Sequence, residues 1–485
     1  MDNIKVYVGD QLPDVIARFP ESFFLKNNIW NDFSYLTTYR LYYIDDGKKS
    51  IDIGDFKVAK KGLESLQRPL GNGLISEVSE DYFSLGQDKS LYTYLKELPN
   101  NLGEKFLILL RDISFDRSIW LKNKKEEVLE KSLFRDLTKM DAISFQALFQ
   151  GKGGKLEYCL TINNGQSLNF NINHSLPFKN SNIHAIIGNN GVGKTTFLKE
   201  IAKNIVERNF TCRIINNKAA DLEEGIDIDY IERVLFVSFS AFDNSRLDFM
   251  SRSRFDYLGL HNDEGGFKGP EVLSQEFEES LMSLINSKQT QYIENVFEPL
   301  RNVDYLEEHI EYFFNNIGDI PKIVTMYKKL SSGHRIVLHS LVLLMDTLHQ
   351  GVVTLFDEPE THLHPPLLGA FLQSLQTICN EYNGLLILAT HSPIILQEVL
   401  SENTLVLRRI DGEVSHITPD VVTYGQNVSK LTRTAFGYQK VGFHKTIRDL
   451  VDNKTITKDN LSSYDNLGSE AKKVALSILH GREDV

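Results

Sequence analysis

Two stretches of the chain are almost continuously apolar: VVTLF, ending at Phe356, and LLILAT, ending at Thr390. A half-solvated strand alternates, whereas a strand buried on both faces does not, so these runs predict central strands of a parallel sheet. RVLFVSFSAFD predicts a third buried strand. Nearer the N-terminus, IKVYV and IDIGDFKVA alternate as half-buried strands do, and LYTYLKELP and EKFLILLRDI predict helices. The charged run KNKKEEVLEK (122–131) predicts a solvated helix face. GKGGK (151–155) predicts a hairpin tip between ISFQALF and LEYCLTI. Leu273, Phe277, Leu281, Leu284 and Ile285 share one face of a predicted helix. SEAKKVALSILHG predicts a helix near the end of the chain, and no segment sustains heptads.

One pattern carries chemistry as well as structure. In SNIHAIIGNNGVGKTTFLKEIAKNI an apolar strand meets a glycine-rich turn and then an amphipathic helix. GNNGVGKT matches G-x-x-x-x-G-K-[ST] in the context that motif requires. Glycines let successive backbone N–H groups turn inward around phosphate oxygens, and the helix start adds its positive end. Gly188, Asn189, Asn190, Gly191, Val192, Gly193, Lys194, Thr195 and Thr196 form the expected cradle for ATP. Lys194 should reach the β- and γ-phosphates, and Thr195 should hold Mg²⁺.

The two apolar strands end in further candidates. VVTLFDEPE delivers Asp357, suited to Mg²⁺, and Glu358, suited to polarising the attacking water. LLILATHSP delivers His391 to the same sheet edge, where it can donate to a γ-phosphate. Upstream, LSSGHR precedes an apolar helix. Ser331 or Ser332 can cap that helix, and Ser332, Gly333 and the next amides can equally form an anion site.

Composition narrows the class. The chain has 485 residues, 41% hydrophobic and 24% charged, with a net charge of −12. It can bury a large core, and about three domains is the length-based prior. The acidic balance excludes coating of DNA by the whole surface but leaves room for a local basic groove. Three cysteines, Cys159, Cys212 and Cys379, without C-x-x-C spacing predict buried thiols in a reducing compartment. No signal-peptide pattern opens the sequence and no stretch reaches about 18 apolar residues. The expectation is a cytoplasmic protein with no membrane partner.

GNNGVGKT, LSSGH, LFDEPE and ATHS, in that order, resemble the Walker A, signature, Walker B and switch-histidine motifs of ABC ATPases. The resemblance implies that Ser331, Ser332 and Gly333 serve a nucleotide held by a second copy, in a head-to-tail homodimer or higher homo-oligomer. DEPETHLHPP departs from the usual transporter D-loop and resembles soluble ATPases of the SMC, RecF and OLD sort, with Glu360, His362 and His364 in the D-loop region. Where such ATPases carry a Q-loop glutamine, this chain reads FVSFSAFDNS, so Ser240 or Asp243 would have to substitute. No TOPRIM-like acidic triad or HNH motif follows His391. The chain therefore resembles stand-alone ATPase subunits of bacterial anti-phage systems such as Septu and PARIS, which work beside a separate nuclease.

The expected fold is α/β: a P-loop NTPase with an ABC-type head, a mostly parallel central sheet flanked by helices, and an N-terminal α+β extension. Expected boundaries are 1–140 for the extension, 141–405 for the ATPase domain with a helical lobe at about 200–330, and 406–485 for an α/β tail. The expected role is an ATP-driven switch for a nuclease or other effector subunit, with DNA as a possible ligand. A DNA-repair ATPase of RecF/SMC type and a transporter subunit are the alternative readings.

Overall fold

The computed structural model describes residues 4–11, 20–149, 155–164, 166–173, 181–215, 231–240, 254–262, 266–287, 290–410, 413–436 and 442–480. Its first sheet comprises β1 (Lys5–Gly9), β2 (Ser22–Asn27), β3 (Thr38–Ile44), β4 (Ser50–Lys60), β5 (Gly73–Ile75) and β6 (Tyr82–Gly86) in the order β5-β1-β2-β3-β4-β6. Only β1 and β2 pair in parallel. Helices α1 (Lys89–Glu97), α2 (Leu102–Leu109) and α3 (Arg117–Asn123) follow. Asp88 and Asp116 start α1 and α3 by accepting from the Ser90 and Ser118 amides. Phe106 of α2 meets Phe23 and Phe56 of the sheet at ring-centroid distances of 4.5 and 5.1 Å.

The charged run 122–131 is not one solvated helix. α3 stops at Asn123, and a π-helical turn, Leu129–Leu133, follows. Val128, Leu129 and Leu133 are buried in the N-terminal core, so their apolar contacts interrupt the charged face.

Beneath this sheet lies a fully buried carboxylate. Asp32 Oδ1 accepts from Arg135 NH1 at 2.7 Å and Trp30 Nε1 at 2.9 Å. Its Oδ2 takes Lys57 Nζ at 2.9 Å and Ser132 Oγ at 3.0 Å. Burial alone would raise the Asp32 pKa; hydrogen bonds from Lys57, Arg135 and Ser132 and the Lys57 charge outweigh it and hold the pKa below the usual value.

Helix α4 (Lys139–Phe149) contains ISFQALF, which is helical and not a hairpin strand. It is buried on most sides because it packs two ways. Ala142, Phe145 and Leu148 join the N-terminal core, and Met140, Ile143 and Ala147 join the next one. Residues 151–154 of GKGGK lie outside the described residues.

A three-stranded antiparallel sheet follows, β7 (Tyr158–Asn164), β8 (Gln166–Ile172) and, later, β10 (Phe210–Ile214), in the order β10-β7-β8. The main sheet contains β9 (Ile183–Ile187), β11 (Arg233–Ser238), β12 (Phe255–Gly259), β13 (Val352–Asp357), β14 (Leu385–Thr390), β15 (Thr404–Ile410) and β16 (Glu413–Ile417). Its order is β12-β11-β13-β14-β9-β15-β16, parallel except for the β15–β16 hairpin. Helix α5 (Lys194–Val206) is packed between the small sheet and one face of the large one through Leu198, Ile201, Ala202 and Ile205.

The opposite face carries α6 (Pro270–Asn286), α7 (Thr290–Phe297), α8 (Glu307–Asn315), α9 (Ile320–Lys329), α10 (Ser332–Thr347) and α11 (Pro365–Tyr382). On α6, Phe277, Leu281 and Leu284 are buried, as the spacing of apolar residues predicts. α12 (Pro393–Gln397) and α13 (Val428–Phe436) close this layer. α14 (Gly442–Asp452) and α15 (Ser469–Leu479) pair around a small core of their own. This is a P-loop NTPase fold of ABC-type arrangement, with a mostly parallel sheet between helical layers and an α+β extension ahead of it.

Candidate functional site

The register of the main sheet assembles the site. Asp357 of β13 is level with Ala389 of β14, and Thr390 of β14 is level with Ile187 of β9. All three strands run parallel, so Asp357, His391 and the loop that begins at Gly188 emerge at one edge. Ser238 of β11 is level with Asp357, which brings Phe239 and Ser240 to the same edge. Asp243 lies outside the described residues.

Gly191 and Gly193 adopt φ of 75° and 109°, backbone that only glycine accepts readily, and α5 starts immediately after them. Lys194 is 5% exposed. Its Nζ donates to the carbonyls of Gly188 and Asn189 at 3.1 and 3.3 Å, folding the ammonium back over its own loop. Thr195 Oγ1 donates to Asp357 Oδ2 at 2.8 Å. That contact joins two hard oxygen donors from distant motifs, and Asp357 is 3% exposed. Thr195 and Asp357 therefore fit Mg²⁺ by donor type and by placement beside the phosphate loop.

After Asp357 the chain turns sharply. Glu358 has φ of 47°, a left-handed conformation that costs a non-glycine residue about 1–3 kcal/mol. Its amide donates to Ala389 O at 2.8 Å, and its Oε1 lies 3.5 Å from His391 Nδ1. A second left-handed residue, His362 at φ 68°, returns the chain toward α11. Between these turns the Glu360 side chain points inward. Its Oε1 accepts from Thr390 Oγ1 and His391 N, both at 2.7 Å, and lies 3.1 Å from His391 Nδ1. Sequence reading put Glu360 with His362 and His364 in the D-loop region and missed this inward role. Thr390 was missed as well. The exposed His364 caps α11 by accepting from Leu367 N at 3.4 Å.

Ser331 is the N-cap of α10; its Oγ accepts from His334 N at 3.4 Å. Ser331 and Ser332 are exposed and Gly333 is buried. A Cβ on Gly333 would lie 2.6 Å from the His362 carbonyl oxygen, so the D-loop backbone enforces glycine here. Among the described residues, none of these three bonds to the phosphate loop of the same chain. Burial, reinforced by His309 and His364 nearby, holds His334 below the ordinary imidazole range. One turn further, His339 Nδ1 lies 3.2 Å from Tyr327 Oη, and its ring meets Phe239 edge-on at 6.1 Å. Burial lowers the His339 pKa to about 3. On β9, His184 Nε2 lies 2.9 Å from Asn171 O, and burial lowers its pKa to about 4.

The family model "AAA domain, putative AbiEii toxin, Type IV TA system" matches residues 200–397. The match begins after the phosphate loop and takes in the signature, both acidic positions and His391. The chain is 28% identical to protein Ea59 of Escherichia phage lambda over 503 residues, covering 95% of each chain. That likeness therefore extends through the N-terminal sheet. It is also 32% identical over 78 residues to "Retron Vc95 probable ATPase" of Vibrio cholerae serotype O1 biovar El Tor, covering 16% of this chain and 15% of that one.

Among solved structures, the ATP-binding cassette of an ABC transporter in its ADP conformation superposes with a TM-score of 0.25 at 16% identity, covering 50% of this chain and 85% of the other. RNase-L Inhibitor gives 0.25 at 14%, covering 54% and 39%. Superpositions this partial carry no weight beside the strand order and the loop geometry. Among the described residues, no helix is long and apolar enough to cross a membrane.

Proposed function

We propose that this chain is an ATP-binding and hydrolysing ABC-type switch that dimerises on ATP and regulates a DNA-processing or nuclease partner in antiviral defence. The observation that carries the reading is the Thr195–Asp357 hydrogen bond, with Lys194 and His391 at the same sheet edge. It joins a phosphate loop to a strand-end acid in a geometry suited to MgATP. Loop amides from Gly188 to Thr196 and the Lys194 ammonium bind the phosphates. Bound Mg²⁺, held by Thr195 and Asp357, would supply charge neutralisation at the phosphate oxygens. Glu358 orients and polarises water, and His391 donates toward the terminal phosphate.

Exposed Ser331 and Ser332, with the buried Gly333 behind them, present a helix start whose natural ligand is the terminal phosphate on a second copy. Hydrolysis removes that bridge and lets the copies part. The family description and the short likeness to a retron ATPase support a defence setting. The test is size exclusion with ATP. Glu358→Gln should bind ATP, hydrolyse it slowly and accumulate as a dimer; unchanged association counts against the switch. Mixing Lys194→Ala with Ser332→Arg subunits should restore activity, because each mixed dimer keeps one intact composite site. Complete inactivity of the mixture overturns the trans arrangement.

A further inference from the structure

Glu360 is a buried acid with an uneven environment. Its side chain is 7% exposed. One oxygen, Oε1, accepts from the Thr390 hydroxyl and the His391 amide and lies 3.1 Å from His391 Nδ1. The other, Oε2, is buried and has no hydrogen-bond partner among the described residues. A buried carboxylate is costly, and a glutamine would satisfy the hydroxyl and the amide without charge. The contact that gains specifically from a carboxylate is the one to the imidazole.

Two acids face Nδ1, Glu360 at 3.1 Å and Glu358 at 3.5 Å, and both only accept when ionised. A proton on Nδ1 makes both contacts attractive. The His391 side chain is 43% exposed, so the ring reaches solvent at the sheet edge beside the phosphate loop. Which ring nitrogen carries a proton is set by the bond the other one makes. The turns at Glu358 and His362 hold Glu360 under the ring, and the Thr390 hydroxyl and His391 amide lock its rotamer.

We propose that Glu360 is a positioning residue for His391: its buried carboxylate fixes a proton on Nδ1 and aims the Nε2 edge at the terminal phosphate of a bound nucleoside triphosphate, to which Nε2 donates once the half-exposed ring takes up a second proton from solvent. The second half rests on the ATPase reading above. The first half does not, because it concerns the ring without nucleotide.

The experiment has two arms on the full-length protein. In the first, histidine ¹⁵N spectra are recorded without nucleotide, with the His391 signals found by difference against His391→Ala. Wild type should show the Nδ1–H form. Glu360→Met, which keeps the reach but removes the acceptor, should shift His391 toward Nε2–H; an unshifted pattern overturns the proposal. In the second, ATP turnover and nucleotide affinity are measured for Glu360→Gln. The expected result is a kcat lower by about 10- to 100-fold with KM and ADP affinity within about threefold, since ADP lacks the phosphate concerned. Glu360→Gln/His391→Ala should be no slower than His391→Ala alone. Additive losses, or equal losses of ATP and ADP affinity, indicate a merely structural role and overturn the proposal. Wild type that hydrolyses no ATP overturns the ATPase reading and the phosphate-facing half with it, while the spectra still decide the ring-orienting half.

Discussion

Asp32 and Glu360 are both buried carboxylates, and they differ in how completely they are satisfied. Asp32 has two cations, a hydroxyl and an indole N–H spread over both oxygens. Glu360 has two donors on one oxygen, none on the other, and a half-exposed histidine ring 3.1 Å away. Full satisfaction marks a group that holds structure together. Partial satisfaction beside a half-exposed histidine marks one whose cost is retained for another reason. Burial alone does not separate the two; the distribution of partners does.

The contrast fails most visibly if Asp32 proves dispensable. Asp32→Ala removes the close carboxylate from buried Lys57, leaving it the Ser132 carbonyl at 2.8 Å and the exposed Asp136 at 4.0 Å, so stability measured by denaturant unfolding should fall by about 3 kcal/mol. Glu360→Gln should change stability by much less and turnover by much more. Equal destabilisation by the two would erase the distinction.

Acidification supplies a second test. His184 is buried and neutral in the fold, with its pKa lowered from 6.5 to about 4. The unfolded chain binds that proton first as pH falls. Stability from this group is therefore complete above pH 6.5 and is lost between there and about 4, by about 3 kcal/mol at most. His339 acts in the same direction. Melting temperature should decline through that window, less steeply in His184→Asn. Asp32, with a lowered pKa, should contribute fully above its ordinary value of 3.8 and be lost only on further acidification. A melting curve flat down to pH 4 would show that buried histidines do not govern acid stability.

Smaller effects belong to the nucleotide edge. Lys194→Ala should weaken ATP turnover or affinity by about 10-fold or more, with little change in melting temperature. Ser331→Ala should cost about 1 kcal/mol through loss of the α10 cap. If Ser331→Ala instead abolishes turnover while the fold survives, the hydroxyl has a role beyond capping.

The apolar runs at Val352 and Leu385 are legible as central strands because burial on both faces removes alternation. The phosphate loop is legible because its glycines, lysine and threonine are consecutive. Glu360 is not legible, since its direction depends on left-handed turns at Glu358 and His362 that no residue type announces. Asp32 is hidden for another reason: Lys57 and Arg135 lie far from it in sequence and are joined only by the fold. ISFQALF reads equally as strand or helix until its two packing partners are known. The charged run 122–131 misleads because Val128 and Leu129, at its end, turn inward.

The junction under α4 has a mechanical consequence. Ser144 Oγ is 2.9 Å from Gln350 Nε2, Gln350 Oε1 is 3.3 Å from Asn383 Nδ2, and the Lys139 amide is 3.4 Å from Glu232 Oε1. Glu232, Gln350 and Asn383 each stand just before β11, β13 or β14, at the end of the sheet away from the phosphate loop. The N-terminal sheet is thus fastened to the strand roots as a handle is to a blade. Any rotation of the main sheet about its strand roots would therefore carry the N-terminal sheet with it.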